Sequence, residues 1–311
     1  MSLDSKKIGA AIKKLRVAAG YTQHDLASSL DVTDKAVSKW ERGLGIPDIA
    51  TIPRLSLCLG VDMDNLLEGD AAFLGNAWSG ILLLPPSSHG LSPDRDVCGR
   101  SLIDRVFMYF LLASIRRVFV VADEETLDRA RAILGTGRRY GVFVSYESDP
   151  SKAVCGVRHA MVIKGYPLLY GANVTRYFQR AFKKERGLVV LGAPYPAKND
   201  SDQLYAEGLR VVGRSSSSTL TFVETPFFVC GEGFAACALD ESMRESAIGD
   251  GLYFVEPLGY GTIYRDISTE DDVRRVAEFI AFVEEATGVP YGDLDEIARR
   301  RKLVSPEHVR E

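Results

Sequence analysis

The stretch 22–43, TQHDLASSLDVTDKAVSKWERG, constrains the fold of this chain more than any other segment. Thr22 followed three residues later by Asp25 has the pattern of a capping box, which predicts that a short helix begins there. Farther along, Ala36, Val37 and Trp40 fall at i, i+1 and i+4, so we expect a second helix that packs all three inward. The other face of that helix would present polar and charged side chains to a partner.

The outward face of the second helix suits DNA. Helix-turn-helix proteins place such a helix in the major groove, where polar side chains reach base edges while cations hold phosphates. The side chains outside the apolar stripe are Thr33, Asp34, Lys35, Ser38, Lys39 and Arg42. The alternative is an ordinary pair of amphipathic helices, since helical periodicity alone does not establish groove binding.

Three segments near the amino terminus share a family pattern: IGAAIKKLRVAAGYTQHDLA, VSKWERG and LCLGVDMDNLLEG. With these segments, residues 6–69 resemble the lambda-repressor-like, XRE-type helix-turn-helix family. The resemblance implies that Gln23 contacts the DNA backbone. The residues it implies for base reading are Thr33, Asp34, Lys35, Ser38 and Lys39. Double-stranded DNA is therefore the expected partner.

Two positions depart from the family pattern. Asp31 stands where the family often has glycine, and we expect it to adopt the left-handed conformation, which Asp tolerates better than most residues. Pro53 falls where a fourth helix should already be under way. We expect that helix to begin late, near Thr51 and Ile52, or to be bent.

The charge balance favours a paired arrangement on DNA. The chain has 38 Lys and Arg against 42 Asp and Glu, a formal net charge of -4, and its amino-terminal segment is not basic overall. DNA binding would therefore rest on a local group of cations and on two-fold repetition, not on a strong general field. We expect a homodimer or a higher homo-oligomer.

The composition predicts a soluble, cytoplasmic protein with no membrane contact and no cofactor. Five scattered cysteines, never at CxxC spacing, indicate neither a disulfide framework nor a zinc site. The most apolar runs, FMYFLLASI and GILLLPP, are far shorter than the roughly 20 residues that span a bilayer.

The pattern changes near residue 80. We expect a helix-turn-helix domain at 1–70, a linker at 71–79 and a second domain at 80–311. In that second domain, amphipathic segments alternate with apolar runs of strand length at 81–84, 118–122, 142–146, 161–165 and 188–192. Less regular strands are expected near 219–223, 226–230, 252–255 and 262–266. The alternation predicts a Rossmann-like α/β domain with a mostly parallel sheet.

Three segments of the second domain have a recognisable order and spacing: GRSLIDRVFMYFLLASIRRVFVVAD, MVIKGYPLLYG and GYGTIYRDISTEDDVRRVAEFIAFVEEATGVPYGDLDEIARRRKLVS. Together they make residues 80–303 similar to sugar-1-phosphate nucleotidyltransferases of the glucose-1-phosphate thymidylyltransferase type. The resemblance implies an enzyme that clamps a nucleoside triphosphate with a glycine-rich loop, an arginine and magnesium.

The groups that would hold the triphosphate are missing. The stretch after the first strand is LLLPPSSHGLSP, in which Pro85 and Pro86 have no NH to donate to phosphate. His89 and Gly90 stand at the positions of the family's threonine and catalytic arginine. The segment with the family's signature lysine is absent before Gly99.

Most of the residues that the resemblance implies for binding magnesium and sugar are also missing. The family's GDN turn aligns with residues 165–167, GYP, so its carboxylate is lost. The second aspartate remains as Asp266, either as a structural hydrogen-bonding group or cap, or as a weak magnesium ligand. The Glu-Lys pair for sugar falls near Gly213 and Arg214.

These losses predict a domain without catalytic residues or a metal site. The expected function is a sequence-specific DNA-binding transcriptional regulator whose pseudo-nucleotidyltransferase domain senses a ligand, such as a nucleotide sugar or sugar phosphate, or sets the oligomeric state. The alternatives are an active sugar-1-phosphate nucleotidyltransferase with an accessory DNA-binding domain, and a pure scaffold for assembly. Residues near the expected cleft, equally well explained as surface residues in most cases, are His89, Arg95, Arg100, Lys152 and Asp266.

Overall fold

The computed structural model of the chain describes residues 4–18, 21–59, 66–67, 78–155, 157–184, 186–194, 203–214, 220–301 and 303–304. The predicted linker lies outside these ranges except for its last two residues. Within the described ranges, no helix is both long and apolar enough to cross a membrane.

Four helices pack around one apolar core in the described residues before position 60. They are α1 (Ser5–Ala18), α2 (Gln23–Leu30), α3 (Asp34–Glu41) and α4 (Ile52–Leu59). Ile12, Leu26 and Val37 are fully buried in this core. Helices α1 and α3 cross closely at Gly9, because a Cβ atom there would lie 2.1 Å from the carbonyl oxygen of Trp40.

The local signals of the helical module act as predicted. The Thr22 side chain accepts a hydrogen bond from the Asp25 NH, and the Asp25 carboxylate accepts one from the Thr22 NH, which completes a capping box. Asp31 has left-handed backbone with φ of 55°. Helix α4 begins at Ile52, so Pro53 lies in its first turn, where a missing NH removes no intrahelical hydrogen bond. All three predictions are confirmed.

A nine-stranded sheet forms the centre of the described α/β part, in the order β3-β2-β1-β4-β9-β6-β10-β8-β7. A separate antiparallel pair joins β5 to β11. The strands are β1 (Trp78–Leu83), β2 (Arg117–Val121), β3 (Phe143–Glu147), β4 (His159–Lys164), β5 (Tyr166–Tyr170), β6 (Leu188–Ala193), β7 (Gln203–Glu207), β8 (Arg210–Gly213), β9 (Leu220–Cys230), β10 (Tyr253–Pro257) and β11 (Ile263–Ile267).

The large sheet is mixed, so the expectation of a mostly parallel sheet is not confirmed. Strand β1 runs parallel to β2 and β4, β2 to β3, and β6 to β10. Strand β9, however, runs antiparallel to β4, β6 and β7, and β8 runs antiparallel to β7 and β10. The sequence pattern divided β9 into two strands, whereas the structure has one long strand that joins the two halves of the sheet.

Helices cover both faces of the sheet. They are α5 (Leu102–Leu112), α6 (Glu124–Leu134), α7 (Pro150–Val154), α8 (Val174–Ala181), α9 (Ala235–Leu239), α10 (Glu241–Gly249), α11 (Glu270–Thr287) and α12 (Leu294–Arg300). One apolar core lies under α5, α6, α8, α11 and α12, and a second lies under α7, α9 and α10. The two cores leave the strand ends free to form a site.

Candidate DNA-binding face and cleft

The predicted DNA-contacting residues lie together on the helical module. Six of them line one concave surface with Leu44: Gln23, Asp34, Lys35, Ser38, Lys39 and Arg42. The seventh, Thr33, is exposed and caps α3 by accepting a hydrogen bond of 3.2 Å from the Ala36 NH. These seven predicted residues are called the α3 surface below.

A buried ion pair fixes the position of Gln23 on the α3 surface. The Gln23 Nε2 atom donates to Glu41 Oε2 at 2.6 Å. Glu41, with a side chain that is 3% exposed, also pairs with Arg16 Nε at 2.5 Å. Arg16 in turn donates to the carbonyl oxygen of Tyr21 at 2.7 Å. Sequence reasoning missed this network, because charges 25 residues apart show no periodic signal.

The cations of the α3 surface are exposed to solvent. Lys35, Lys39 and Arg42 form no ion pair with any residue in the described part of the chain. Arg42 Nε donates only to the Ser38 carbonyl oxygen, at 3.2 Å. Three positive side chains are therefore available to phosphate oxygens without breaking an existing pair.

A cavity of about 420 Å³ opens where the ends of β1 and β4 meet the β5–β11 pair. Leu83 pairs with Lys164 in the parallel register, so the loops after both strands lie at the same edge of the sheet. The cavity is lined by Pro85, Leu91, Lys164, Gly165, Tyr166, Glu224, Thr225, Pro226, Phe228, Arg244, Tyr264, Asp266, Ile267 and Ser268.

One predicted cleft residue, Asp266, lines this cavity. Lys152 is exposed on α7 and is absent from the lining. The side chain of His89 lies outside the described part of the structure.

The two predicted cleft arginines are held by carboxylates. Arg95 pairs with Glu270 at 2.9 Å, and Arg100 pairs with Asp293 at 2.7 Å. Neither arginine belongs to the cavity lining. Both pairs join the segment before α5 to the starts of α11 and α12, so the two arginines hold parts of the fold together.

The loop after β1 offers a poor cradle for phosphate. Pro85 and Pro86 have no NH, and the next NH, that of Ser87, donates to Asp123 Oδ2 at 2.8 Å. Hydrogen bonds from the backbone NH groups of Thr126 and Ser87 lower the pKa of Asp123. They therefore favour the ionised carboxylate, which accepts both bonds. The first available donor after the prolines is thus used within the chain.

Tyr166 stands at the second position of the GYP turn, where the family resemblance implies a magnesium-binding aspartate. Its side chain is 1% exposed, and burial raises the pKa of its hydroxyl. In the register of the β5–β11 pair, Asp266 lies opposite Pro167 and next to the Tyr166 pairing. Among the described residues, no group of three or more His, Cys, Asp or Glu side chains could hold a metal ion.

A cluster of charged side chains lies on the wall of the cavity and beside it. Glu224 pairs with Arg214 at 2.7 Å and accepts a hydrogen bond from the Tyr253 hydroxyl. Arg244 Nε lies 3.6 Å from the same carboxylate, and Lys164 lines the cavity beside them. Sequence reasoning missed Glu224, Arg244 and Lys164. Two of them could have been noticed in the sequence, because Lys164 ends the apolar run MVIK and Glu224 lies inside the apolar run FVETPFF.

Comparisons with known proteins divide the chain in the same way. A helix-turn-helix family model matches residues 12–66. The Bacillus subtilis SPbeta prophage-derived HTH-type transcriptional regulator YonR, itself uncharacterized, is 41% identical over 64 residues, which are 21% of this chain and 59% of YonR. The chain thus spans less than two thirds of that regulator.

The α/β part matches a different group of proteins. The glucose-1-phosphate thymidylyltransferase of Neisseria meningitidis is 23% identical over 270 residues, which cover 75% of this chain and 92% of the enzyme. A Bacillus anthracis protein assigned to the same activity, solved in complex with sucrose, superposes with a TM-score of 0.55 at 12% identity. That superposition covers 70% of this chain and 99% of the solved chain, and it shows the fold alone. The chain therefore joins an amino-terminal XRE-type helix-turn-helix domain to a domain homologous to glucose-1-phosphate thymidylyltransferases.

Proposed function

We propose that the protein is a sequence-specific DNA-binding transcriptional regulator, organised as a DNA-binding domain at 1–70, a linker at 71–79 and an α/β domain at 80–311. The observation that carries this proposal is the α3 surface, where Lys35, Lys39 and Arg42 are exposed beside a Gln23 that is fixed by the Arg16–Glu41 pair. The similarity to helix-turn-helix regulators supports it.

The regulator acts as a homodimer or a higher homo-oligomer. The α3 surface of one module presents three exposed cations, Lys35, Lys39 and Arg42, and few phosphate contacts give weak, salt-sensitive binding. Two modules on half-sites about 34 Å apart double those contacts and match a palindromic operator.

The α/β domain serves as a ligand-sensing or assembly module in this proposal. Prolines replace the phosphate cradle after β1, and Tyr166 replaces a metal-binding carboxylate, which argues against nucleotidyl transfer. A nucleotide sugar or sugar phosphate is the proposed ligand class. A direct contact can connect the two parts: the Arg117 guanidinium at the start of β2 lies 6.0 Å from the ring of Tyr21 in the helical module.

Selection of genomic DNA fragments with the purified full-length protein, followed by footprinting, tests the regulator proposal. We expect one preferred, two-fold symmetric sequence and loss of its selection in a Lys35→Ala, Lys39→Ala double variant. An Arg95→Ala variant, altered at an exposed ion pair of the α/β part, is the matched control and should select the same sequence. Selection of no preferred sequence by the wild-type protein would refute the proposal.

An active sugar-1-phosphate nucleotidyltransferase is the second candidate. It is favoured by Asp266, which lines the cavity, and by the 92% coverage of the Neisseria enzyme. Incubation with magnesium, a panel of nucleoside triphosphates and sugar 1-phosphates distinguishes the two candidates by release of pyrophosphate. We expect no release above the level of an Asp266→Asn variant.

A further inference from the structure

Lys164 lines the cavity, and among the described residues it has no ion-pair partner. In the part of the chain that the structure describes, its ammonium group forms no hydrogen bond or ion pair and lies 5.0 Å from the centre of the Phe228 ring. Burial, and then the nearby Arg244 guanidinium, lower the pKa of Lys164 to about 8. An ammonium group in this position lacks the anion that would compensate its lost hydration.

Arg244 is the second cation and is only partly satisfied. Its side chain is 10% exposed, and its guanidinium carbon lies 5.7 Å from the centre of the same Phe228 ring. Nη1 donates to the Ala238 carbonyl oxygen at 3.3 Å. Nε is buried, has no hydrogen-bond partner among the described atoms, and lies 3.6 Å from Glu224 Oε1.

The nearest carboxylate does not neutralise both cations. One oxygen of Glu224 pairs with Arg214, and the other accepts from the Tyr253 hydroxyl. Arg214 also pairs with Glu245 at 2.6 Å. Glu224 is thus engaged by Arg214 and Tyr253, and among the described residues neither the Lys164 ammonium nor the Arg244 Nε donates a hydrogen bond to it, although Glu224 and Asp266 also line the cavity.

We propose that Lys164 and Arg244 form a subsite that binds the anionic group of a small organic anion without a metal ion. The shared chemistry is a phosphate or carboxylate group, for which an ammonium and a guanidinium are charge-assisted donors. The cavity of about 420 Å³ is within the size range of small-molecule pockets. The exposed Ser268 provides a further polar group on its wall for the rest of the ligand.

This inference rests on the proposed ligand-sensing role of the α/β domain, but anion binding does not itself require DNA. Titration calorimetry of the full-length protein in EDTA measures it directly. Glucose 6-phosphate and gluconate are the two anionic probes, and glucose is their neutral counterpart. We expect heat of binding from at least one anion and none from glucose. Comparison of the two affinities shows whether the subsite prefers a phosphate or a carboxylate group.

Two variants of similar shape test the residues. Lys164→Met should weaken binding of the anion by about tenfold or more, because it removes one charge-assisted contact. Arg95→Met removes an exposed cation outside the cavity lining and should leave the affinity unchanged. Circular dichroism melting confirms that both variants fold, and Lys164→Arg, which keeps the charge, should retain binding.

Equal affinities for Lys164→Met and the wild type would overturn the subsite, as would equal binding of glucose, binding only with added magnesium, or no binding of either anion. DNA selection with the same preparations separates the two proposals. A protein that selects DNA but binds no anion loses only the subsite. A protein that binds anions through Lys164 but selects no DNA loses only the regulator proposal.

Discussion

Replacing Arg16 should unfold the helical module while the α/β part stays folded. The Glu41 carboxylate is 3% exposed and receives two hydrogen bonds from Arg16, at 2.5 and 3.2 Å, and one from Gln23. In Arg16→Met the carboxylate remains buried with one neutral donor. Breaking a buried pair in this way costs about 3 to 5 kcal/mol, and the lost bond to the Tyr21 carbonyl adds about 1 kcal/mol.

This loss is large compared with the stability of a small module. Single domains have free energies of unfolding of about 5 to 15 kcal/mol, and short helical modules with one small core lie at the low end of that range. We therefore expect Arg16→Met to populate the unfolded module at ambient temperature. DNA binding should be lost with it, since Gln23 and α3 lose their support.

The two tryptophans of the chain make the assay local. Trp40 is 7% exposed in the core of the helical module, whereas Trp78 stacks on Phe182 at 4.5 Å in the α/β part. The buried Nε1 atom of Trp78 has no hydrogen-bond partner among the described residues, so Trp78→Phe leaves no new polar group unsatisfied. In that background, urea unfolding followed by fluorescence reports on the module through Trp40 alone.

A double variant provides the internal control. Arg16→Met with Glu41→Leu removes both charges, and replacement of a whole buried pair by apolar side chains is often near neutral. We expect the double variant to recover most of the lost stability, while Lys35→Met, at an exposed position, should change it by less than about 0.5 kcal/mol. A cost below about 1 kcal/mol for Arg16→Met, or a double variant no more stable than the single one, would refute the reasoning.

Three further predictions concern the core, the DNA contacts and the cavity. Trp40→Ala should destabilise the helical module by roughly 3 to 5 kcal/mol, measured by circular dichroism, because it removes a large buried side chain. Lys39→Ala should weaken binding to all DNA sequences alike and reduce the salt dependence if Lys39 contacts phosphate, whereas Lys35→Ala or Ser38→Ala should change base preference in a selection experiment. Gluconate affinity should fall about tenfold between about pH 7 and about pH 9, because protonated Lys164, with a pKa of about 8, holds the anion and deprotonates over that range. The charged and titratable groups near Lys164 are Arg244, Glu224, Cys230 and Glu241. Burial raises the pKa of Cys230, so Lys164 is expected to dominate this range, and a flat pH profile would contradict the assignment.

Local chemistry made the helical module predictable. The Thr22–Asp25 capping box, the left-handed Asp31 and the late start of α4 at Ile52 each follow from the residue at that position, whatever lies elsewhere in the chain. The same holds for Val37 and Trp40, whose spacing alone placed them in the core. What could not be predicted was the Arg16–Glu41 pair, because tertiary packing alone brings these charges together.

The sheet shows where alternation of apolar runs stops being informative. Runs such as 118–122 and 188–192 became β2 and β6, but a run does not state the direction of its neighbour. Strand β9 enters between β4 and β6 and reverses the pairing on both sides. Three short strands were missed: β7 (QLYAE) and β8 (RVVG) contain no long apolar run, and β5 follows β4 after a single residue.

One residue of the predicted cleft lines the cavity, whereas the two residues of the proposed anion subsite were not predicted. Asp266 was predicted because a family motif contains it, and it does line the cavity. Arg95 and Arg100 were chosen as nearby cations, yet each is held by a carboxylate outside the lining. Lys164 and Arg244 are far apart in sequence, and the fold brings both beside the Phe228 ring of β9.

The charged cluster in the cavity is difficult to explain by folding alone. Glu224, Arg244 and Lys164 line the cavity and lose part of their hydration there. Apolar side chains of similar volume would avoid the free-energy cost of that lost hydration. An anion that pairs with Lys164 would offset the cost in the bound state, so binding should stabilise the fold as well as neutralise the site. The exposed cations of the α3 surface keep their hydration, so their charge has little free-energy cost, and they are accessible to an external polyanion. Under the two proposals, the two parts of the chain use positive charge differently: one would present it to a duplex, and the other would bury it around a cavity for a small molecule.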